Sequence, residues 1–95
     1  MELTVKLVKR LPAQARQWTD RNGQPQQLSI QPMLLRHGAD TLYAEMVGDA
    51  AASAERYTEG AWYVARLDTY ARPWRAQDGT DRYSNDLALR ALYEV

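Results

Sequence analysis

The sequence predicts an all-β domain, a small barrel of five strands with one short helix between the third and fourth strands. Three observations predict this fold. Apolar and polar residues alternate in three separate stretches, as they do in half-buried strands. One alanine-rich segment interrupts that alternation, and a chain of 95 residues is long enough for one hydrophobic core. We therefore expect residues 1–95 to form a single domain.

The first strand is predicted at residues 2–10, where Leu3, Val5 and Leu7 alternate with mostly polar neighbours. The next segment, residues 12–26, is polar, contains an asparagine–glycine pair and carries prolines near both ends. This composition predicts a long hairpin loop between the first and second strands.

The second strand is predicted at residues 27–36. It must hold Pro32 at an edge or a bulge, because proline cannot donate a backbone hydrogen bond. A glycine-containing turn at residues 37–40 leads directly into a third strand at residues 41–47. The short turn indicates that these two strands pair with each other.

The helix is predicted at residues 49–59, an alanine-rich segment of about three turns. Asp49 is placed to cap its N-terminus, and Gly60 is placed to end it. Tyr57, near the end of the helix, is expected to pack against the barrel.

A fourth strand is predicted at residues 61–72 and a fifth at residues 82–95, because the alternation returns in both segments. The inward-facing residues predicted for the fourth strand are Tyr63, Ala65 and Leu67. Those predicted for the fifth strand are Leu87, Leu89, Ala91 and Tyr93. Tyr83 follows the same inward parity, so it too is expected in the core.

This element order is that of the OB-fold, a partly open five-stranded barrel. The position of the helix discriminates between folds. An SH3-like barrel does not predict a helix between the third and fourth strands, and a ferredoxin-like fold requires one after the first strand. In an OB-fold the ligand groove crosses the second and third strands, between the loop after the first strand and the loop that joins the last two.

The two long loops repeat one pattern: each carries an arginine, one other residue and a tryptophan, with a glycine five residues after the tryptophan. Unpaired nucleic acid requires aromatic rings on which bases stack and arginines that contact phosphate. The residues predicted to bind it are Trp18, Trp74, Arg16, Arg21, Arg72, Arg75, Arg82, Tyr43 and Tyr70. The alternative for each loop tryptophan is that it folds back over the barrel, and Trp62 and Tyr70 are equally well placed for a subunit interface.

Charge alone does not predict a polyanionic partner, because twelve basic and twelve acidic residues cancel. The two signs are nevertheless separated along the chain, since residues 9–23 are mainly basic and residues 40–60 mainly acidic.

Composition argues against catalysis. The chain has no cysteine, its single histidine lies in a tight turn, and it has no glycine-rich phosphate-binding motif. We therefore expect no enzyme activity, no metal and no cofactor.

The first ten residues do not resemble a signal peptide, and no segment is long and apolar enough to cross a membrane. These features predict a cytoplasmic protein without a membrane partner.

The segment from Gly60 to Leu92 resembles the second half of bacterial single-stranded DNA-binding proteins. In that family a glycine precedes the fourth strand, a basic R-x-W motif closes it, and a polar G-x-D-R-Y turn opens the fifth. The matching residues are Gly60, Arg72, Trp74, Gly79, Asp81, Arg82 and Tyr83. The resemblance implies an OB-fold, stacking of Trp74 on DNA with Arg72 near the strand, and assembly as dimers or tetramers. Two positions that are often aromatic in the family are Thr41 and Val47 here.

Two hypotheses follow. In the first, the chain is an OB-fold homodimer or homotetramer that binds single-stranded DNA or RNA without catalysis. In the second, it is a protein-interaction or assembly module that keeps the barrel without binding nucleic acid. The zero net charge and the missing aromatics of the third strand favour the second hypothesis. Exposure of Trp18 and Trp74 favours the first, and their burial at a subunit contact favours the second.

Overall fold

The strand-forming segments fold into one six-stranded sheet, and the computed structural model describes all of residues 1–95. Strands take up 67% of the residues and helices 7%. The elements are β1 (Glu2–Arg10), β2 (Gln14–Thr19), β3 (Pro25–His37), β4 (Asp40–Val47), α1 (Asp49–Ala52), a 3₁₀ helix (Ala54–Arg56), β5 (Trp62–Arg75) and β6 (Asp81–Glu94). The prediction of a mostly β fold is confirmed.

Five of the strands form a ring of neighbours. The order runs β1, β5, β6, β4 and β3, and β1 also pairs with β3, while β2 adds to the free half of β3. Every pairing is antiparallel except that of β4 with β6. Those two strands are parallel and meet at a single residue pair, Glu45 with Ala88. This junction is therefore the least paired part of the ring.

The inside of the ring is the hydrophobic core. Its buried cluster consists of Val5, Leu7, Met33, Leu35, Ala44, Met46, Ala54, Tyr57, Tyr63, Ala65, Leu67, Leu89 and Leu92. The rings of Tyr57 and Tyr63 meet edge to face, with 5.5 Å between their centroids. The Tyr63 hydroxyl accepts a hydrogen bond from the Thr58 amide at 2.8 Å, which satisfies its polar end. The predicted inward faces of the first and fourth strands and the packing of Tyr57 are confirmed.

The prediction of a loop throughout residues 12–26 is wrong, because the middle of that segment forms β2. This strand pairs with the start of β3, from Gln14 opposite Ile30 to Thr19 opposite Pro25. Every residue of β2 is exposed. A strand with solvent on both faces lacks the apolar alternation by which a sequence reveals a strand. Backbone hydrogen bonds to β3, rather than burial, hold it in place.

Pro32 lies in an interior strand rather than at an edge. β3 pairs with β2 before this residue and with β1 after it. The Pro32 carbonyl accepts a hydrogen bond from the amide of Leu11, in the connection between β1 and β2, at 3.0 Å. The proline therefore sits where β3 changes neighbours, a point where the ladder can lack one donor.

The helical segment is shorter than predicted. It comprises one turn of α-helix and one turn of 3₁₀ helix, separated by Ser53, whose φ of −108° and ψ of 16° leave the helical range. Residues three apart eclipse each other in a 3₁₀ turn. That geometry directs both Ala54 and Tyr57 into the core. Asp49 is the first helical residue and forms no capping hydrogen bond, so its predicted role as the N-cap is wrong.

β6 contains a β-bulge that breaks its alternation. Arg66 on β5 pairs with Ala91, but the next residue, Leu67, pairs with Leu89. Arg90 is therefore an extra residue in β6 with no partner of its own across the ladder. Because side chains alternate along a strand, one extra residue moves every later side chain to the opposite face.

The bulge reverses the predicted parity at the end of the chain. Leu92 is buried, whereas Tyr93 is 52% exposed. The sequence-based prediction that Tyr93 faces the core is therefore wrong. Alternation in the sequence cannot reveal this reversal, because the extra residue is defined only by how β6 pairs with β5.

Beyond the ring, β5 and β6 continue as a two-stranded arm, residues 69–87. β1 reaches no further along β5 than Leu67, and β4 meets β6 only at Ala88. Both outer edges of the arm are therefore unpaired. Tyr83 lies on the arm and is 69% exposed, so the prediction that it belongs to the core is also wrong. At the position of Tyr83, no other strand of the sheet packs on the arm.

The bulge predicts that substitutions at two neighbouring residues, Leu92 and Tyr93, differ in how much they destabilise the fold. Leu92→Ala is expected to lower the free energy of unfolding by about 2 to 5 kcal/mol, because it leaves a cavity in the core. Tyr93→Ala is expected to change it by less than about 1 kcal/mol, because the ring is exposed. Urea unfolding of dilute protein measures both. A larger loss for Tyr93→Ala than for Leu92→Ala would place the bulge elsewhere.

Candidate nucleic-acid interface

The two hairpins that carry the repeated arginine–tryptophan pattern end in the same turn. In each, the amide of the first turn residue donates to the carbonyl of the fifth, and the amide of the fourth donates to the carbonyl of the first. The turns are residues 20–24 and residues 76–80, with Gly23 and Gly79 in the fourth position at φ of 76° and 84°. This left-handed conformation favours glycine. The tryptophan of each hairpin lies two residues before the turn.

An aspartate orders each turn. The Asp20 carboxylate accepts hydrogen bonds from the amides of Asn22 and Gln24, both at 2.9 Å. The Asp78 carboxylate accepts from the hydroxyl of Thr80 at 2.6 Å and from its amide at 3.0 Å. These bonds favour the charged forms and lower the pKa of both carboxyls; the Gln24 amide contributes most for Asp20 and the Thr80 hydroxyl for Asp78.

The strand register brings three of the predicted site residues to the outer face of the sheet. Trp18 lies opposite Gln26 on β3, and Tyr43 lies opposite Leu34 on the same strand. Side chains at even-numbered positions of β3 share one face, and directly opposed residues share a face in an antiparallel pair. Trp18, Tyr43 and Arg16, which is two residues before Trp18, therefore lie on the same side of the sheet.

The arm continues this surface. Tyr70, Arg72 and Trp74 occupy alternate positions of β5 and so share a face, on which Trp74 lies opposite Arg82. The two surfaces meet at a cavity of about 250 Å³, which is lined by Arg16 from β2 and Tyr70 from the arm. We name the combined surface the aromatic face; it comprises Trp18, Tyr43, Tyr70, Trp74, Arg16, Arg72 and Arg82.

All four rings of the aromatic face are about half exposed, and Trp18 and Trp74 have the same exposure, 49% each. Two predicted residues lie outside this face. Arg75 is opposite Asp81 on the other face of the arm, and Arg21 lies within the turn between β2 and β3. The structure thus brings together seven of the nine predicted residues.

The arginines of the arm are paired with aspartates of the same hairpin. Hydrogen-bond or ion-pair distances join Arg72 to Asp86 (3.1 Å), Arg75 to Asp81 (3.6 Å) and Arg82 to Asp78 (3.6 Å). Just beyond the arm, Arg90 pairs with Asp68 in the same way (2.8 Å). The Arg90 hydrogen bond lowers the pKa of the Asp68 carboxyl. Exposed pairs of this kind contribute at most about 1 kcal/mol each. Of the predicted arginines, only Arg16 and Arg21 form no ion pair.

Two carboxylates beside the aromatic face were not predicted from the sequence. Glu45 and Asp86 line a cleft of about 500 Å³ between β4 and β6, and Tyr43 lines it as well. Partial burial, followed by the charge of Glu45, raises the pKa of the Tyr43 hydroxyl. The signal for Glu45 was present in the sequence, because residues 43 and 45 share a face of any strand that contains both. The sequence holds no comparable indication for Asp86, because its position beside the cleft depends on where β4 and β6 diverge.

No group of three or more histidine, cysteine, aspartate or glutamate side chains is placed to hold a metal ion. None of the helices has the length and apolar character needed to cross a membrane.

Acid is expected to loosen the turn between β2 and β3. The pKa of Asp20 is lower in the folded chain, so its contribution to stability is complete above the unfolded value of about 4 and is lost as the pH falls through the folded value. Amide hydrogen exchange at Asn22 and Gln24, corrected for the intrinsic rate, should accelerate over that range. Asp20→Ala should accelerate it at neutral pH, with exchange at the Gly48 amide, bonded to Ser29, as the unaffected control. Unchanged exchange in Asp20→Ala would mean that the carboxylate does not order the turn.

Comparison with known proteins adds no family assignment. No protein-family model matches the chain, and no curated protein sequence matches it. The chemistry of the aromatic face and of the cleft beside it is therefore the ground on which a function can be assigned.

Proposed function

We propose that the protein has an OB-fold and binds single-stranded nucleic acid without catalysis. The ring of β1, β3, β4, β6 and β5 supports the fold, since its five strands and the helical segment between β4 and β5 match the order of elements in that barrel. On this assignment β2 is an elaboration of the loop between the first two strands of the barrel. The likeness of the second half of the chain to bacterial single-stranded DNA-binding proteins agrees with it.

The position of the aromatic face supports the function. OB-folds bind oligonucleotides across their second and third strands, between the loop after the first strand and the loop that joins the last two. In this chain those elements are β3, β4, the hairpin of β2 and β3, and the arm. The aromatic face extends over all of them.

One observation carries the proposal: four aromatic rings, each about half exposed, share one face with arginines between them. A ring in this state is held by its strand and still offers a flat surface to a ligand. Stacking of a base on such a ring contributes about 1 to 3 kcal/mol. Every base has a flat π-surface, so stacking of this kind favours binding with little sequence preference.

The ion pairs of the arm determine how strongly salt should weaken binding. Exposed pairs are weak, so phosphate can replace an aspartate as the partner of an arginine. Each such exchange leaves a repelling carboxylate nearby, and it neutralises less phosphate charge than a free arginine does. For single strands, log K falls with log salt by about 0.7 per neutralised phosphate. Two free arginines predict a slope of about −1.4, and five would give about −3.5.

Trp74→Ala is expected to weaken binding by about 1 to 3 kcal/mol, because one base loses its stacking partner. The assay is fluorescence anisotropy of a labelled thymidine oligonucleotide, with a matching uridine oligonucleotide to compare DNA with RNA. Tyr83→Ala is the control: this ring is also exposed and lies on the arm, but it is opposite Pro73 on the face of the arm that turns away from the aromatic face.

Three results would contradict the proposal. These are no binding at low salt, equal losses for Trp74→Ala and Tyr83→Ala, and an affinity that does not depend on salt. A slope near −3.5 would contradict only the inference that the ion pairs of the arm suppress its contribution.

A second candidate function is assembly, and a different surface favours it. Val64 on β5 lies opposite Tyr93 on one side and Thr4 on the other, and Trp62 lies opposite Lys6. These residues share an outer face of β1, β5 and β6 on which both Trp62 and Tyr93 are about half exposed. Apolar surface of this kind often marks a protein contact. We propose that this face joins two copies of the chain in a homodimer. A homotetramer would then consist of two such dimers.

Trp62→Glu is expected to dissociate the oligomer, because it would bury an unpaired charge at the contact. Size-exclusion chromatography with light scattering should give twice the chain mass of 10.9 kDa, or four times it, for the unmodified protein and the single mass for the variant. Trp18→Glu is the control and should keep the unmodified mass. A single-chain mass for the unmodified protein would overturn assembly through this face.

A further inference from the structure

The cleft beside the aromatic face exists because β4 and β6 part. The two strands meet only at Glu45 and Ala88, and the residues before this pair diverge on both strands. The space between them measures about 500 Å³, within the range of sites that hold small molecules. Leu42 and Leu87 supply apolar surface to it, and the remaining lining residues are aromatic or polar.

The polar lining of the cleft combines two carboxylates, Glu45 and Asp86, with hydroxyl and amide side chains that can donate as well as accept. Glu45 is half-buried and forms no ion pair, and no lysine or arginine lines the cleft. Asp86 uses one carboxylate oxygen for Arg72, and its other oxygen forms no ion pair. An ionised carboxylate can only accept hydrogen bonds. A half-buried charge is stabilised when donors reach it, so the cleft is matched to a ligand that carries adjacent N–H groups.

The cleft opens onto the surface where we propose that nucleic acid lies. Tyr43 belongs to the aromatic face and also lines the cleft. Glu45 and Leu87 line both the cleft and the smaller cavity that Arg16 and Tyr70 share. A strand that follows the aromatic face therefore passes the mouth of the cleft, with arginines near its phosphates.

We propose that the cleft accepts one base from the bound strand and that Glu45 selects guanine. This inference rests on the proposed function. Guanine is the base whose Watson–Crick edge carries two adjacent donors, N1–H and N2–H, which match the two oxygens of a carboxylate. Adenine and cytosine place a ring-nitrogen acceptor beside their amino group, and thymine flanks its single N–H with two carbonyl oxygens. Each of these acceptors would face the carboxylate and repel it.

The experiment measures binding of four oligonucleotides of eight nucleotides. One is all thymidine, and the others carry a single central guanine, adenine or cytosine, which avoids the self-association of guanine-rich strands. We expect the guanine oligonucleotide to bind about tenfold more tightly than the other three, since a bidentate contact to a base gives discrimination of that order. Affinities are taken from the midpoints of anisotropy titrations, because guanine itself quenches fluorescence.

Two variants of equal charge isolate the role of Glu45. Glu45→Gln replaces one acceptor by a donor and should bring the ratio of guanine to thymine affinity close to one. Glu2→Gln removes the same charge from an exposed residue of β1 and should keep the tenfold ratio. Loss of a negative charge raises the affinity for every oligonucleotide, so the ratio is the measurement that counts. Circular dichroism checks that both variants fold.

The outcomes separate the inference from the function on which it rests. If all four oligonucleotides bind equally well, or if Glu45→Gln keeps the tenfold ratio, guanine selection by Glu45 is wrong while single-strand binding stands. If none of them binds, both are overturned. If Glu2→Gln abolishes the ratio as Glu45→Gln does, the preference comes from overall charge and the cleft does not read the base.

Discussion

The antiparallel ladder between β5 and β6 governs both the core and the aromatic face. At the end of the chain, the bulge at Arg90 turns Leu92 into the core. Beyond the ring the same ladder forms the arm and aligns Tyr70 with Trp74 on one side. At the bulge, the side chain of Arg90 donates a hydrogen bond to Asp68 on the facing strand at 2.8 Å. A slip of one residue in this register would exchange the two faces of the strand, exposing core side chains and turning the arm's rings away from β3 and β4.

The charge distribution of the molecule favours recognition of a ligand by short-range contacts over long-range electrostatic attraction. Basic and acidic residues are equal in number, and the arm's arginines have aspartate partners within the same hairpin. The exposed aromatic rings of the arm, in contrast, are uncharged and remain open to a ligand. A ligand of the aromatic face therefore meets mainly flat apolar surface, and of the predicted arginines only Arg16 on that face and Arg21 in the adjoining turn form no ion pair. In our proposal, the carboxylates of the cleft add a selective element beside this surface, because they favour a base with adjacent donors.

The sequence predicted those parts of the fold in which burial is one-sided. Val5 and Tyr63 belong to strands with one face in the core and the other in solvent, so their alternation is visible. The repeated arginine–tryptophan pattern also corresponds to a real structural repeat, the shared turn. β2 was missed because solvent covers both of its faces, and the bulge at Arg90 was missed because it depends on pairing with a distant strand. The pairing of Arg72 with Asp86 was equally hidden, since it depends on the register of the arm. The cleft arises from the gap between β4 and β6, which no local pattern encodes.

The unpaired edges of the arm bear on how the protein avoids aggregation. An exposed hairpin edge is a template on which other chains can add strands. Pro73 removes one backbone donor from β5, and charged side chains of both signs recur along β5 and β6. A flat, uncharged hairpin with the same exposed rings would be prone to stack into an extended sheet. The same ion-paired charges that reduce the attraction for a polyanion thus also oppose the addition of further strands to this exposed hairpin.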